Sequence, residues 1–410
     1  MRAWAYFIAV ASLHDVTATD SQRVFLASPQ PNQDGALSLN DAISKATQSQ
    51  LSTPSQRGAT VKLLPGVYEL DAPLNFASDD GSSFPFSSSS PLRIQSADDT
   101  NVAVLSGGVE IANWTVGAEP WQWVATLPDT VSAVNISSLW VDGSRRPVAR
   151  TETFQYIDST VDSVFVPLGA LPDNLEVVQG LQAIIYHCWT ASYHGISSIS
   201  QNSSMVTASL INQQSINFNS NVKATGKRVY FQGHPEFLSN GSATFYVDIK
   251  ARSVTYAPSA DELAAYPNGP ADFVAVAPQL VELVRVDGEA ASGVVLQNLS
   301  FAYAAADFST CLSGTCDAQS ASFLTSAALH FEGARDVQLK NLNVSHVDGY
   351  AVWVGNGSRN VVMDRLHIFD VGTGGVRIGP PIGGVSGASR ADNVSLTNSV
   401  LEDGGTRITQ

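Results

Sequence analysis

Residues 342 to 379, LNVSHVDGYAVWVGNGSRNVVMDRLHIFDVGTGGVRIG, say nearly the same thing twice, with His346 and Asp370 in corresponding places 24 residues apart. A unit this short cannot bury its apolar side alone, so it has to stack on copies of itself. Four segments align: NLSFAY (298–303), NLNVSH (341–346), RLHIFD (365–370) and NSVLED (398–403). Phe301, Val344, Ile368 and Leu401 share one position, and Leu299, Leu342 and Leu366 another, with Ser399 as the exception. Upstream lies a second apolar alternation, Val294/Leu296, Val337/Leu339, Val361/Met363 and Val394/Leu396; downstream, AVWVG and GVRIG supply a third strand. The longer intervals of 43 and 33 residues hold the decorations CLSGTC and GPPIGGVSGASR. Three short strands per unit predict an all-β fold, a right-handed parallel β-helix. A leucine-rich repeat would demand a fixed leucine and asparagine pattern, and a sandwich would demand antiparallel hairpins in place of repeated strand order.

The rest of the chain fits around that stack. SLNDAISKATQSQL (38–51) carries an apolar stripe of Leu39, Ala42, Ile43 and Ala46 behind a Ser38 N-cap, which predicts a helix capping the first coil. ATVKLLPGVYEL then opens the strands. Within 109–290, ATFYVDIKARSVTYAP alternates Phe245, Val247 and Ile249, turns, and returns through Val254 and Tyr256, an antiparallel hairpin pattern. The expected organisation is a signal peptide or poorly ordered segment at 1–20, cap and first coils at 21–108, a β-rich insertion or subdomain at 109–290, and β-helix repeats at 291–410.

Twenty-two Lys and Arg stand against 37 Asp and Glu, a formal charge of −15 with no basic block, which repels phosphate backbones and argues against a nucleic-acid partner. MRAWAYFIAVAS resembles a compact secretory signal, and no run reaches transmembrane length, so the chain is expected to be secreted or extracellular, in solution or at the cell surface. Acceptor sequences for N-glycosylation begin at Asn113, Asn135, Asn202, Asn240, Asn298, Asn343, Asn356 and Asn393. Cys311 and Cys316 could close the loop CLSGTC, leaving Cys188 over; three thiols, with His187 and His194 at no recognised spacing, predict no metal site.

LLPGVYEL behind an amphipathic helix resembles the opening of pectin-lyase-like β-helix proteins. SGGVEIANW, LWVDGSRRPVAR, HPEFLSNGSATFYVD with VTYAP, and the pair GYAVWVG and DVGTGGVRIG resemble a narrower group, the large secreted β-helix glycoside hydrolases that include fucosidase and xylanase relatives. The resemblance spans roughly residues 57 to 408. It implies activity on plant-type polysaccharides. It also implies further coils after LEDGGTRI, so the sequence is expected to be a fragment.

The register that aligns the core also aligns Tyr303, His346, Asp370 and Asp403, each two residues beyond an interior position. Strand alternation would turn them inward, so a corner must intervene; Gly372, Gly374, Gly375, Gly404 and Gly405 make one credible. Stacked strands lie about 4.8 Å apart, so Asp370 and Asp403 are candidates for the paired carboxylates of glycosidic cleavage, with one pKa pushed up by the other. His346 could orient a carboxylate, bind a hydroxyl or act as a base. Tyr303, Trp353, Arg377 and Arg407 are candidates for substrate contact, while Asp348 and Asp364 fit solvated turns or strand ends; Arg145, Arg146 and Arg150 in LWVDGSRRPVAR are a structural marker of the resemblance, with binding of an anionic sugar the lesser alternative. The competing role for these aspartates is turn capping, and for His346 a buried structural imidazole. No nucleotide-binding, metalloprotease or serine-hydrolase motif occurs. The expected function is a glycoside hydrolase needing no cofactor. The alternatives are a uronate-cleaving lyase using Arg377 or Arg407, with calcium a candidate cofactor, and a non-catalytic carbohydrate-binding surface protein.

Overall fold

The computed structural model describes residues 23–31, 35–53, 58–76, 84–187, 191–211, 228–288, 291–313, 315–317, 324–380 and 390–406. The signal-like segment, Cys188 and Arg407 lie outside them. Two parallel sheets carry the stack. One runs in the order Arg23–Ala27, Ala59–Leu63, Leu92–Ser96, Val294–Ala304, Gln338–Val347, Arg359–Val371 and Asp392–Thr397, with Val67–Glu69, Val104–Ser106 and Val400–Leu401 joined to it. The other holds Leu74–Asn75, Val284–Asp287, Ala327–Glu332, Tyr350–Val354 and Val376–Ile378. From Val294 onward the chain passes between them, except that Thr315–Asp317 pairs antiparallel with Ala191–Gln201.

The apolar pattern sets the register. Phe301 pairs with Val344, Val344 with Ile368 and Ile368 with Leu401. The same file continues backward through Leu105 and Tyr68. Phe301, Val344 and Ile368 are fully buried, each worth about 1.5–3 kcal/mol of burial. Leu401, last in the file, stays 44 % exposed.

Two of the three strands expected per unit are one long strand with a bend. Asn298, Asn341, Arg365 and Asn398 sit in the left-handed region, at φ 51, 51, 57 and 51°, within or beside the long strands. A left-handed residue turns the chain in one step, and asparagine tolerates that conformation better than most side chains. Side-chain hydrogen bonds link these bends from strand to strand: Asn341 donates to Asn298 at 2.9 Å, and Asn298 to Asp99. The helix Leu39–Ser52 starts where expected, with Ser38 Oγ accepting from Asp41 N at 3.1 Å, and it packs on the first two strands of the large sheet.

Between residues 108 and 278 the strands are antiparallel. Phe245 pairs with Tyr256 and Val247 with Val254 in the expected hairpin. Trp114, Trp123, Tyr256 and Phe273 form an aromatic core there, with ring centroids 4.9 to 6.4 Å apart. Cys311 and Cys316 form a disulfide.

Candidate active site

Tyr303, His346 and Asp370 occupy successive long strands of the large sheet and Asp403 follows the short strand Val400–Leu401; all four are left-handed, at φ 60, 56, 48 and 48°. This is the corner that alternation required. It lies in the residues themselves; the glycines serve the turns after them. At Gly372 a Cβ would stand 2.1 Å from the Asp348 carbonyl oxygen, so only glycine allows the two neighbouring turns to approach.

Over this file lies a hairpin of the antiparallel region. Leu139–Val141 pairs with Ser144–Arg146 across Asp142 and Gly143, both with positive φ (48 and 72°). Leu139 and Val141 face the antiparallel core, so Trp140 faces the other way, toward the parallel stack, with Arg145 opposite it in the pair. The Arg145 guanidinium lies 4.6 Å from the centre of the Trp140 ring.

All five N–H groups of Arg145 are used. Nε donates to Asp370 Oδ1 at 2.6 Å, Nη1 to Asp348 and Ser138, and Nη2 to the Val347 and Asp370 carbonyls at 3.1 and 2.9 Å. Asp370 Oδ2 accepts from Trp140 Nε1 at 2.8 Å and lies 2.7 Å from His346 Nδ1. Burial alone would push the Asp370 carboxyl up, but the hydrogen bond with His346, the charge and hydrogen bond of Arg145 and the Trp140 N–H outweigh it and hold it down at about 2. The expected upward push from a second carboxylate therefore does not reach Asp370; charge-assisted donors decide its state. Asp348 is fully buried and bound by Arg145 and by Ser137 at 2.6 Å, so it does not belong to a solvated turn. Ser137 also lines a cavity of about 60 Å³ with Gln182, Gln232 and Phe308.

The His346 ring stacks on Tyr303 at 5.0 Å and meets Phe369 edge-on at 5.6 Å. Burial, then the nearby Asp370 charge, raise the Tyr303 pKa. Asp403 is exposed; its carbonyl accepts from Val371 N at 3.1 Å, and Gly404 bridges to Val371, so it is the register neighbour of Asp370. Asp364 belongs to the strand ladder, accepting from Thr397 and Asn398 at 3.0 and 2.8 Å.

Trp353 and Arg377 belong elsewhere. They stand in the smaller sheet in one register with Arg285 and His330. Trp353 is 2 % exposed, stacked on His330 at 5.0 Å with the Arg377 guanidinium 4.2 Å over its ring, and its Nε1 donates to the Gly379 carbonyl at 2.8 Å. Both faces are taken, which rules out the expected sugar platform there. His330 in turn bonds Glu282, which also binds Arg285 and Ser326; burial opposes the charge on Glu282, and these donors hold it at about 2. Arg377 and Trp353 thus belong to a register of the smaller sheet, apart from the large-sheet file of Asp370. Among the described residues no group of three or more His, Cys, Asp or Glu side chains is arranged to hold a metal ion.

Trp140 and Arg145, with Ser137 and Ser138, lie outside the repeat; of these the sequence offered only Arg145, beside Arg146 and Arg150 in LWVDGSRRPVAR, and as an anionic-sugar contact rather than a partner of Asp370 and Asp348. The signal that could have found the first two is the Asp-Gly pair between LWV and SRR, which reads as a two-residue hairpin whose faces alternate.

No family model and no curated protein sequence matches the chain. Among solved structures, one described as "Glycoside hydrolase" superposes with TM-score 0.75 at 16 % identity, covering 94 % of this chain and 74 % of that one. A second, "The complex structure of XylC with xylose", gives TM-score 0.43 at 9 % identity, covering 94 % and 55 %. The first likeness establishes a shared fold.

Proposed function

We propose that this chain is an exported right-handed parallel β-helix glycoside hydrolase acting on a complex polysaccharide. The observation that carries the proposal is the left-handed file of Tyr303, His346, Asp370 and Asp403, which sets a buried carboxylate held ionised beside a solvent-facing one. Glycosidic cleavage needs that division: one carboxyl group to protonate the leaving oxygen, and an anion to support the positive charge that develops on the sugar. Asp403 suits the first role, and Asp370, bound by Arg145, Trp140 and His346, supplies fixed negative charge behind the site rather than a contact to the sugar. Arg145 faces both Asp370 and Asp348, so one guanidinium serves two carboxyl groups. The solved structure described as a glycoside hydrolase supports the same reaction class. Exposed acceptor asparagines at 113, 202 and 240 are compatible with export.

The test is incubation of the purified protein with a panel of neutral and uronate-containing polysaccharides. Hydrolysis produces reducing ends without an ultraviolet-absorbing double bond, and Asp403→Asn should lower kcat about 10²–10⁴-fold, the usual worth of a general acid. An unsaturated product would replace the hydrolase by a lyase. Binding without turnover would leave a carbohydrate-binding protein.

A further inference from the structure

Asp370 directs both carboxylate oxygens into the protein. Oδ1 takes the Arg145 Nε–H at 2.6 Å, Oδ2 takes the Trp140 Nε1–H at 2.8 Å, and His346 Nδ1 is 2.7 Å from Oδ2. Its side chain is only 10 % exposed. A carboxylate engaged in this way has little to offer a sugar ring directly.

The chemistry of the pair fixes the proton. An ionised carboxylate only accepts, so His346 Nδ1 must carry the hydrogen, and in the neutral ring the lone pair then resides on Nε2. Nε2 makes no hydrogen bond to a described residue. The ring is 14 % exposed, and a Cβ added at Gly143 would be 4.0 Å from Nε2. Tyr303 stacks on the ring with 20° between planes and Phe369 meets it at 81°, so the imidazole is oriented by aromatic neighbours as well as by Asp370.

We infer that Asp370 is a positioning residue and that His346 Nε2 is the atom that takes a proton from the attacking water. The inference rests on the hydrolase proposal and gives that site its base. The water gives one proton to Nε2 while its oxygen bonds to the anomeric carbon. The glycosidic carbon–oxygen bond breaks, and the leaving oxygen takes a proton from the Asp403 carboxyl group. Imidazolium and carboxylate remain, and proton exchange with solvent restores both, with one water consumed. Direct attack by water inverts the anomeric configuration.

Two measurements test this, and the first does not depend on turnover. Nitrogen-15 NMR of the imidazole, assigned by its loss in His346→Gln, should show the neutral Nδ1–H tautomer in the wild type. In Asp370→Asn the side-chain amide can donate to Nδ1, and the ring should move to the Nε2–H tautomer. A wild-type ring protonated on Nε2 overturns the inference. Second, His346→Gln and Asp370→Asn should each lower kcat about 10²–10⁴-fold, with KM within about threefold and no additive loss in the double variant. Wild-type kcat in His346→Gln, or retained anomeric configuration in the product, also overturns it. If no polysaccharide is cleaved, the hydrolase proposal fails by itself while the tautomer still decides whether Asp370 sets His346. Misfolded variants, recognised by circular dichroism, leave the wild-type spectrum as the deciding result.

Discussion

At the scale of single residues, charge state follows from donors more than from burial. Asp370 is held down at about 2 in the folded protein, against an ordinary value of about 3.9 for an unfolded aspartate. Its contribution to stability is therefore full above about pH 4 and is lost as pH falls through about 2, a loss of about 2–3 kcal/mol. Urea unfolding between pH 5 and pH 2 should show this loss in the wild type and a shallower one in Asp370→Asn. His194 behaves in the opposite chemical sense. Burial, and then the neighbouring His187 charge, push it down to about 3, and its Nε2 is 2.7 Å from Ser192 Oγ. A histidine buried neutral must charge on acidification, so its stabilisation is full above about pH 6.5 and disappears toward about pH 3. His194→Gln should flatten the fall in unfolding midpoint between those limits; an unchanged slope would show that another group governs it.

The strand bends belong to the scale of elements. Left-handed backbone costs an L-residue roughly 1–2 kcal/mol, and the molecule mostly meets that with asparagine and aspartate in hydrogen-bonded files. Asn393 donates to Asn360 at 2.8 Å and Asn360 to Asp336 at 2.9 Å, in a second such file. Arg365 is an exception in the file with Asn298, Asn341 and Asn398, at φ 57° with its side chain 59 % exposed. Arg365→Gly should hold or raise stability by up to about 1 kcal/mol, because relief of strain is set against glycine's greater chain entropy. Arg365→Val should lower it by about 1–2 kcal/mol, since a β-branched residue resists that conformation most. Denaturant midpoints check both. Ile368→Ala, in the middle of the buried file, should cost about 2–5 kcal/mol in the same assay through the cavity it leaves.

For the whole molecule, the question is what ties the antiparallel region to the parallel stack beside the site. Arg145 is one such tie, reaching from the Leu139–Arg146 hairpin to Asp348, Asp370 and two backbone carbonyls of the large sheet. Arg145→Met keeps most of the apolar stem but leaves two buried carboxyl groups without their cation, which should destabilise by about 3–5 kcal/mol. Hydrogen exchange should quicken first in the hairpin and in the turns after Val347 and Asp370. The cores around Phe301 and Phe273 should stay protected. Uniform loss of protection would mean that Arg145 supports the whole fold equally.

How much of this was legible beforehand differs by feature. The period, the apolar file through Phe301, Val344 and Ile368, the helix behind Ser38 and the alignment of Tyr303, His346, Asp370 and Asp403 were determined by the sequence, because a stack repeats local chemistry along the chain and pairs like with like. The corner at those four residues could be anticipated as a necessity, but not its cause, since φ at a single residue depends on the neighbours that enforce it. Trp353 misled because alternation along a strand identifies a face without saying what covers it; His330 and Arg377 do. Asp348 and Arg145 are 203 residues apart in sequence, yet one closes the other's charge. Hydrogen bonds and ion pairs act over a few ångströms of space regardless of separation along the chain, so only the tertiary structure could decide which carboxylate is clamped, which faces solvent, and which nitrogen of His346 is left free to work.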